Sequence, residues 1–171
     1  MKVILMRCRV KSYIRLVLTL FLVLTGSVWA QGWAVTPGEG VGALTLGMTS
    51  SQVEAILKPT DVVGSPKNPL FIKYGEELIV QYEVSKVAMI SLHSKTFNTK
   101  QGPVTWTPYK GLTIGTPWNA VVNQIPGSKK SRQLETAKGY PAEFYHAYLQ
   151  LGLGVRTKGG NVVQIDVWDR K

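Results

Sequence analysis

The chain has 171 residues, of which 44% are hydrophobic and 18% are charged, and its formal net charge is +10. This length allows one compact domain or two small lobes that share a core. A single cysteine, Cys8, excludes an intramolecular disulfide, and the basic residues are too dispersed to indicate a nucleic-acid partner.

Residues 1–30 have the composition of a secretory signal peptide. Five basic residues lie at or before Arg15, the apolar run LVLTLFLVLT follows at 16–25, and small residues precede a cleavage site after Ala30. The run is too short for a transmembrane helix, which needs about 20 apolar residues. We therefore expect a periplasmic or secreted protein that begins at Gln31 and has no stable membrane span after cleavage. A retained anchor is the alternative.

Cleavage at this site would remove five cations and the only cysteine, leaving 15 basic and 10 acidic residues and a net charge of +5. A mature chain without cysteine has no thiol for nucleophilic catalysis or for metal binding. Its positive charge mildly favours acidic partners or anionic surfaces.

Residues 31–40 are interpreted as an N-terminal tail, and the first structural unit is predicted over 41–97. It begins with LTLGMTSSQVEAIL, which combines a short extended piece, a break at Gly47 and an amphipathic helix. Thr49 as N-cap and Gln52 three residues later predict a capping box, in which each side chain satisfies a backbone N–H of the other residue.

A β-hairpin is predicted after this helix, with strands ELIVQY (77–82) and VAMISLH (87–93). Hydrophobic residues alternate along both strands, so that one face would pack on the helix and the other would face solvent. Gln81 and His93 lie on the solvent side in this interpretation and are candidate binding residues.

Residues 98–108 are interpreted as a linker, and a second copy of the unit is predicted over 109–171. A shift of 68 residues aligns LTLG (44–47) with LTIG (112–115), and a shift of 75 residues aligns the two hairpins. The joint match of helix, caps and hairpin indicates a tandem duplication.

The second helix is predicted to begin with Thr116 as N-cap and Pro117 in the first helical position, where a missing N–H has no cost. Its hairpin is predicted from QLGLGVR (150–156) and VVQIDVW (162–168), and an additional strand is predicted at 144–148.

The predicted fold class is α+β, with two tandem helix-plus-antiparallel-hairpin repeats and the helices packed on one face of the sheet or sheets. The repeats would join edge to edge or face to face around a pseudo-twofold axis. The other face of the hairpins would then be half-solvated and free to bind a partner.

The segment LGMTSSQVEAILKP at 46–59 resembles the signature of the SmpA/OmlA-like fold, whose members include the small lipoprotein of the outer-membrane barrel-assembly machinery. The tandem arrangement is similar to that of the β-lactamase-inhibitory protein family, in which two helix-plus-sheet repeats present a curved sheet to an enzyme. The resemblance covers residues 41–93 and 109–171 and implies an extracytoplasmic protein binder. The chain departs from these families because it has neither a lipidation cysteine nor disulfides.

No pattern in the mature sequence predicts catalysis. His93 and His146 have no second histidine at metal-binding spacing, so each is interpreted as a strand surface residue. No G-x-S-x-G sequence positions a nucleophilic serine. Asp166 and Asp169 would point to opposite faces of a strand, unlike the carboxylate pair of a glycoside hydrolase. We therefore expect no enzyme activity, no metal and no cofactor.

The solvent side of the second hairpin is the first candidate binding surface. Trp168 would project from it beside a side-chain-free trough at Gly152 and Gly154, with Arg156 and Asp166 at the edges. Trp and Arg are common interface anchors because they bury much area. Alternatively, the additional strand predicted upstream folds over this side and makes it part of the core.

A basic cluster is the second candidate binding surface. Lys129, Lys130 and Arg132 lie in the loop predicted between the second helix and its hairpin, with Lys138 nearby. They belong either to a solvated loop or to a site for an acidic patch on a partner or an anionic headgroup.

Together these features predict an exported, non-enzymatic protein-binding or scaffold module of the bacterial cell envelope, whose partner is another extracytoplasmic protein. The alternatives are an inhibitor of a secreted hydrolase and a small hydrolase of cell-wall material. A deep pocket with clustered Asp, His or Glu would favour the hydrolase, whereas an aromatic surface would favour binding.

Overall fold

The structure of the protein is a computed structural model that describes residues 32–65 and 68–170, with only the backbone of Asn68. The predicted signal peptide, residues 1–30, and its cleavage site lie outside the described residues. Within the described part, neither helix combines the length and the hydropathy that a membrane span requires.

Thirteen strands and two α-helices make up the regular structure of the described residues, together with a 3₁₀ turn at Leu149–Leu151. The helices are α1 (Ser50–Ile56) and α2 (Trp118–Val121). The strands are, in chain order, β1 (Val35–Thr36), β2 (Gly40–Val41), β3 (Leu44–Thr45), β4 (Asp61–Ser65), β5 (Asn68–Tyr74), β6 (Leu78–Glu83), β7 (Lys86–Leu92), β8 (Thr96–Thr99), β9 (Gly102–Thr105), β10 (Lys130–Leu134), β11 (Glu143–Tyr148), β12 (Leu153–Lys158) and β13 (Asn161–Trp168).

Eight of these strands form one antiparallel sheet, the main sheet, in the order β10-β11-β12-β13-β7-β6-β5-β4. The central pair, β13 with β7, joins four strands from residues 61–92 to four strands from residues 130–168. The strand order is therefore mirrored about the centre of the sheet, and β4 and β10 are its two edges. Strands β1 to β3 form a small sheet, and β8 pairs with β9.

The predicted α+β class is wrong, because the described chain is mostly β. About half of it lies in strands and only about a tenth is helical. The helix-plus-hairpin repeat is also wrong as the unit of the fold, since each half of the main sheet has four strands and α2 is only four residues long.

The strands that the sequence did not predict lie in segments without alternating hydrophobicity. Strand β10, in a predicted loop, is exposed at four of its five residues. Strands β8 and β9 overlap the predicted linker, and β1 lies in the predicted tail. Exposed or very short strands bury too few side chains to show a period of two, and that period is the main sequence signal for a strand.

The predicted N-terminal cap is confirmed for one helix and wrong for the other. Thr49 and Gln52 form the predicted capping box, which is confirmed at the start of α1. The predicted Thr116 cap of α2 is wrong, because the N-cap is Pro117 and no side chain caps the helix. Val53 of α1 and Val121 of α2 are buried in the core, so each helix still packs one apolar side against the sheet.

One face of the main sheet, here called the covered face, forms the hydrophobic core with α1, α2 and the small sheets. Burial of a large aliphatic side chain stabilises the fold by about 1.5–3 kcal/mol, which makes this face the main source of stability. The predicted inward alternation is wrong for Ala88 and Val163, which are only partly buried. It is confirmed by side chains that are less than 2% exposed: Leu78, Val80, Ile90, Leu92, Leu153, Val155, Ile165 and Val167.

The two halves of the main sheet share local features at corresponding positions. A β-bulge falls between Gln81 and Tyr82 in one half and between Arg156 and Thr157 in the other. These positions are 75 residues apart, which is the shift that aligns the two hairpins in the sequence. Strict alternation would place Ala88 and Val163 inward. The bulges explain why Val87 and Val162 are buried instead.

Gly47 and Gly115 occupy equivalent positions before the two helices. The Gly47 N–H donates to the Val87 carbonyl at 2.8 Å, and the Gly115 N–H donates to the Val162 carbonyl at 2.7 Å. Both glycines have a φ of +82°, in the region that other residues rarely adopt. As predicted, each is a break between an extended segment and a helix.

We expect Gly47→Val and Gly115→Val to lower the free energy of unfolding by similar amounts, about 1–3 kcal/mol each. A Cβ at either position would meet no heavy atom within 4 Å, so the cost comes from the backbone conformation rather than from a clash. Thermal unfolding of the two single variants measures it, and a silent variant would show that the two positions are not equivalent.

The turns of the two central hairpins have the same backbone conformation but different residues. Val84 and Ser85 have φ values of 49° and 60°, and Gly159 and Gly160 have values of 56° and 80°. Positive φ at both central residues is the mark of a type I′ turn, which favours Asn-Gly and Gly-Gly. Val84 is therefore strained, and since it is 87% exposed, no burial offsets the strain.

Replacement of this turn by Val84→Asn with Ser85→Gly should raise the free energy of unfolding by about 1–2 kcal/mol, because the strain is removed. Denaturant unfolding measures the change. The reciprocal variant, Gly159→Val with Gly160→Ser, should lose a similar amount. Equal stability of the first variant and the wild type would show that Val84 is not strained in solution.

Candidate binding site

The face of the main sheet opposite the core is here called the open face. Residues directly opposite each other on paired strands share a face, so the strand register assigns its members. They include Lys130, Arg132, Glu143, Tyr145, Ala147, Gly154, Arg156, Lys158, Gln164, Asp166, Trp168, Met89, Ser91, His93, Gln81, Ile79, Phe71 and Lys73. The predicted solvent sides of both hairpins therefore form one continuous face, although Ser91 and Asp166 within it are only 2% exposed.

The predicted trough beside Trp168 is filled by aromatic side chains. A Cβ on Gly154 would clash with the Tyr145 hydroxyl and would lie 2.6 Å from Cζ3 of Trp168. The glycine therefore lets two rings from neighbouring strands lie directly on the backbone of β12. Trp168 itself is half-buried on the open face. Strand β11 lies beside β12 in the sheet rather than over it, and its Tyr145 side chain crosses this surface.

Asp166 was predicted at the edge of the trough but is only 2% exposed. The Tyr145 hydroxyl donates to its Oδ2 at 2.9 Å, and the Gln164 amide donates to its Oδ1 at 2.8 Å. Burial and the nearby Asp166 carboxylate raise the pKa of Tyr145, so the phenol stays protonated as a donor. These bonds hold the Tyr145 ring in one position over Gly154.

Arg156 forms an ion-pair cluster on the open face rather than a free rim charge. Its guanidinium donates to the Glu143 carboxylate through Nε at 2.8 Å and also through Nη2. The ammonium of Lys158 lies 3.0 Å from the other oxygen of Glu143. Hydrogen bonds from Lys158 and Arg156 lower the pKa of Glu143, so the carboxylate stays charged between its two cations.

His93 and Ser91 lie next to Asp166 and carry polar atoms without a partner. Ser91 of β7 lies directly opposite Asp166 of β13 in the strand register. Among the described residues, neither His93 Nε2 nor the Ser91 hydroxyl has a hydrogen-bond partner, although both atoms are buried. Burial lowers the pKa of His93 and outweighs the opposing effect of Asp166, so the imidazole is neutral at pH 7.

Trp168 also links the open face to a large hollow in the described chain. Trp168 is paired with Met89, and Met89 with the exposed Gln81, in one row across the sheet. On its other side Trp168 lines a hollow of about 990 Å³. Val84 and Leu149, two exposed apolar side chains, also line it. The Trp168 ring thus lies between the sheet surface and a depression whose lining is partly apolar and also contains Glu83, Lys86 and Asp169.

The structure divides the basic cluster between two surfaces. Lys130 and Arg132 belong to the open face at its β10 edge. Lys129 lies on the other side, where its ammonium is 5.3 Å from the centre of the Trp118 ring. Lys130 and Arg132 therefore extend the same surface that contains Trp168. Lys129 does not belong to that surface.

A hydrogen-bonded chain of Ser131, His146 and Thr157 lies on the covered face. The Ser131 hydroxyl is 2.8 Å from His146 Nδ1, and the Thr157 hydroxyl is 3.2 Å from Nε2. The imidazole also stacks on Trp118, with ring centres 4.4 Å apart. The interpretation of His146 as a surface residue is wrong, because it is only 6% exposed.

Sequence analysis also missed Tyr145 and Glu143 as parts of the site. Both belong to the segment EFYHAY, and the period of two along a strand places Glu143, Tyr145 and Ala147 on one face. A strand was predicted at 144–148, but its pairing with β12 and the existence of its other partner, β10, were not. Among the described residues, no group of His, Cys, Asp or Glu side chains could hold a metal ion.

The two histidines predict a loss of stability in mild acid. Burial, with a smaller effect of Lys129, lowers the pKa of His146, and burial lowers that of His93. The unfolded chain then binds protons more tightly than the folded one, so stability is full above about pH 6.5 and decreases as the pH falls toward the folded pKa. Each histidine can contribute a slope of at most about 1.4 kcal/mol per pH unit.

We expect His146→Gln to reduce the decline in unfolding free energy between about pH 7.5 and about pH 5.5, because glutamine does not titrate. Urea unfolding at a series of pH values measures it. His93→Gln is the matched variant and should remove a separate part of the decline. A wild-type slope in His146→Gln would contradict a lowered pKa of His146.

Comparisons of the chain with family models, with curated proteins and with solved structures give no match. The resemblance to the SmpA/OmlA-like and β-lactamase-inhibitory protein families therefore stays a prediction from the sequence. The geometry of the open face is the remaining basis for a function.

Proposed function

We propose that this protein is an exported, non-enzymatic protein-binding module of the bacterial cell envelope, and that it binds an extracytoplasmic partner with the open face of its main sheet. Trp168 is the aromatic anchor of this surface. Arg156 and Gln164 supply polar contacts, and Lys130 and Arg132 supply positive charge at the β10 edge.

The observation that carries the proposal is that the open face presents large side chains already fixed in place. Tyr145 is held by its hydrogen bond to Asp166, and Arg156 is held by Glu143. A side chain that is ordered before binding loses less conformational entropy when a partner arrives, and each mobile side chain would cost about 0.5–1.5 kcal/mol. Tyr, Trp and Arg are also the residue types most enriched among interface anchors.

The hollow beside the anchor favours a partner that has an apolar side chain to place in it. Trp168, Val84 and Leu149 supply apolar surface to this hollow, and Glu83 and Lys86 supply charge. Val84 and Leu149 are exposed, so a partner that covers them would remove this apolar surface from water.

The location of the partner follows from the sequence. The apolar leader at 16–25 and the small residues before Ala30 predict export. The resemblance of residues 46–59 to the SmpA/OmlA-like signature agrees with an extracytoplasmic protein binder. These two features support the cell envelope as the site of action, while the open face supports binding as the activity.

Trp168→Ala tests the proposal. Truncation of an interface anchor commonly costs at least about 2 kcal/mol, which is roughly a thirtyfold loss of affinity. Because the Trp168 ring is half-buried, its loss should cost clearly less stability than the roughly 3–5 kcal/mol of a core tryptophan. Cross-linking in the native envelope followed by pull-down should therefore recover the partner with the wild type and not with a folded Trp168→Ala variant.

Leu70→Ala is the matched control, because Leu70 is an exposed apolar side chain outside the open face. It should keep the partner. Thermal unfolding of both variants separates loss of binding from loss of fold. Equal recovery of the partner by Trp168→Ala and the wild type would refute the open face as the binding surface, and so would an unfolded Trp168→Ala protein at room temperature.

A further inference from the structure

Strand β10 is an edge of the main sheet. Among the described strands it pairs only with β11, and its residues are exposed from Lys130 to Gln133. An edge strand has backbone N–H and C=O groups that point away from the sheet and can pair with an added strand. A segment from another chain could therefore continue the sheet at this edge.

The side chains of β10 that lie on the open face are both cationic. Lys130 and Arg132 are two residues apart, so they project from the same face. Neither forms an ion pair with a described carboxylate, whereas the cations further along the same face, Arg156 and Lys158, are both bound to Glu143. The β10 edge thus carries two uncompensated positive charges.

A small hollow lies between these cations and the neighbouring strand. It has a volume of about 270 Å³ and is lined by Lys130, Arg132, Tyr145 and Ala147, together with Ser131. Ala147 is the residue opposite Lys130, and its short side chain leaves the space open. A carboxylate placed here would lie between an ammonium and a guanidinium, the second of which can bind both oxygens at once.

The other edge of the sheet provides an internal comparison. At the corresponding place β4 has Asp61, and its partner residue on β5 is Lys73. These two side chains neutralise each other, with Nζ and Oδ2 3.8 Å apart. In β10 and β11 the same pair of positions holds Lys130 and Ala147, so that Lys130 has no carboxylate partner in the part of the chain that the structure describes. The uncompensated charge is specific to the β10 edge.

We propose that β10 binds an acidic, extended segment of the partner protein, which adds to the main sheet as a further strand and places a carboxylate side chain between Lys130 and Arg132. Backbone hydrogen bonds give this mode its affinity, and the pockets for alternate side chains give it specificity. The inference rests on the proposed function, because it names the chemistry of the partner segment that the open face receives.

A labelled synthetic peptide of alternating Glu and Thr residues tests the proposal by fluorescence anisotropy with the full mature protein. We expect saturable binding that weakens with added salt, since the charges at the edge are exposed. The same peptide with Gln in place of Glu should bind at least about tenfold more weakly. A version with N-methylated amides along one edge should also lose binding, because it cannot pair with β10.

The protein variant for this test is Lys130→Ala with Arg132→Ala, and Lys58→Ala is the matched control because Lys58 is an exposed cation outside the open face. The first should weaken binding at least about tenfold, and the second should leave it unchanged. Far-ultraviolet circular dichroism confirms that both variants are folded.

Three results would overturn the proposal. Absence of peptide binding to the wild type would mean that the cations only protect the edge against aggregation. Equal binding of the N-methylated peptide would mean that attraction is purely electrostatic and involves no added strand. Binding to vesicles of anionic phospholipid without binding to the peptide would assign the edge to a membrane surface. In each case Trp168→Ala still tests the open face separately, because that assay recovers the native partner.

Discussion

The pairing of β7 with β13 in the centre of the main sheet holds the two halves of the chain together. Ile90 and Leu92 of one half lie directly opposite Val167 and Ile165 of the other, and all four side chains are fully buried. A change of register by one residue would move every one of these side chains to the opposite face, so burial determines the register. The same register fixes which residues reach the open face, including Asp166 and Trp168. The site therefore depends on the core.

One backbone position gives the open face its present form. Gly154 lies between Tyr145 and Trp168, and any larger residue there would displace both rings. A glycine within a strand weakens the strand, because it has no side chain to pack and loses more entropy on folding. The Tyr145 bond to Asp166, which crosses above the glycine, offsets part of that cost by fixing the ring. Glycine in this strand is thus explained by what lies over it rather than by its own conformation.

Local patterns in the sequence predicted local structure well. The capping box at Thr49, the breaks at Gly47 and Gly115, and the inward alternation of both hairpins were all predicted from a few neighbouring residues. Strand β10 could not be predicted in this way, because a strand that is exposed along its length has no hydrophobic period. The α+β class failed for the same reason: the helical stripes were visible in the sequence and the exposed strands were not.

The prediction of the site was limited by contacts between strands. Trp168, Arg156, Asp166, His93 and Gln81 were placed on one face from alternation alone, and the strand register agrees. The burial of Asp166 depends on Tyr145, which is 21 residues away in the sequence and lies two strands away. The ion pair of Arg156 with Glu143 spans 13 residues in the same way. Such pairs can be predicted only when the strand order is known. The sequence did not give this order, because no pairing could be assigned to β11.

The two halves of the main sheet share a backbone plan but differ on the open face. The positions held by Tyr145, Arg156 and Asp166 in one half are held by Phe71, Gln81 and Ser91 in the other. A buried carboxylate and a charged cluster are costly unless every partner is in place. The less charged half shows that the same backbone does not require these groups. The half of the sheet from β10 to β13 therefore holds the buried carboxylate and the charged cluster of the open face, and each of these groups has its hydrogen-bond or ion-pair partners in place.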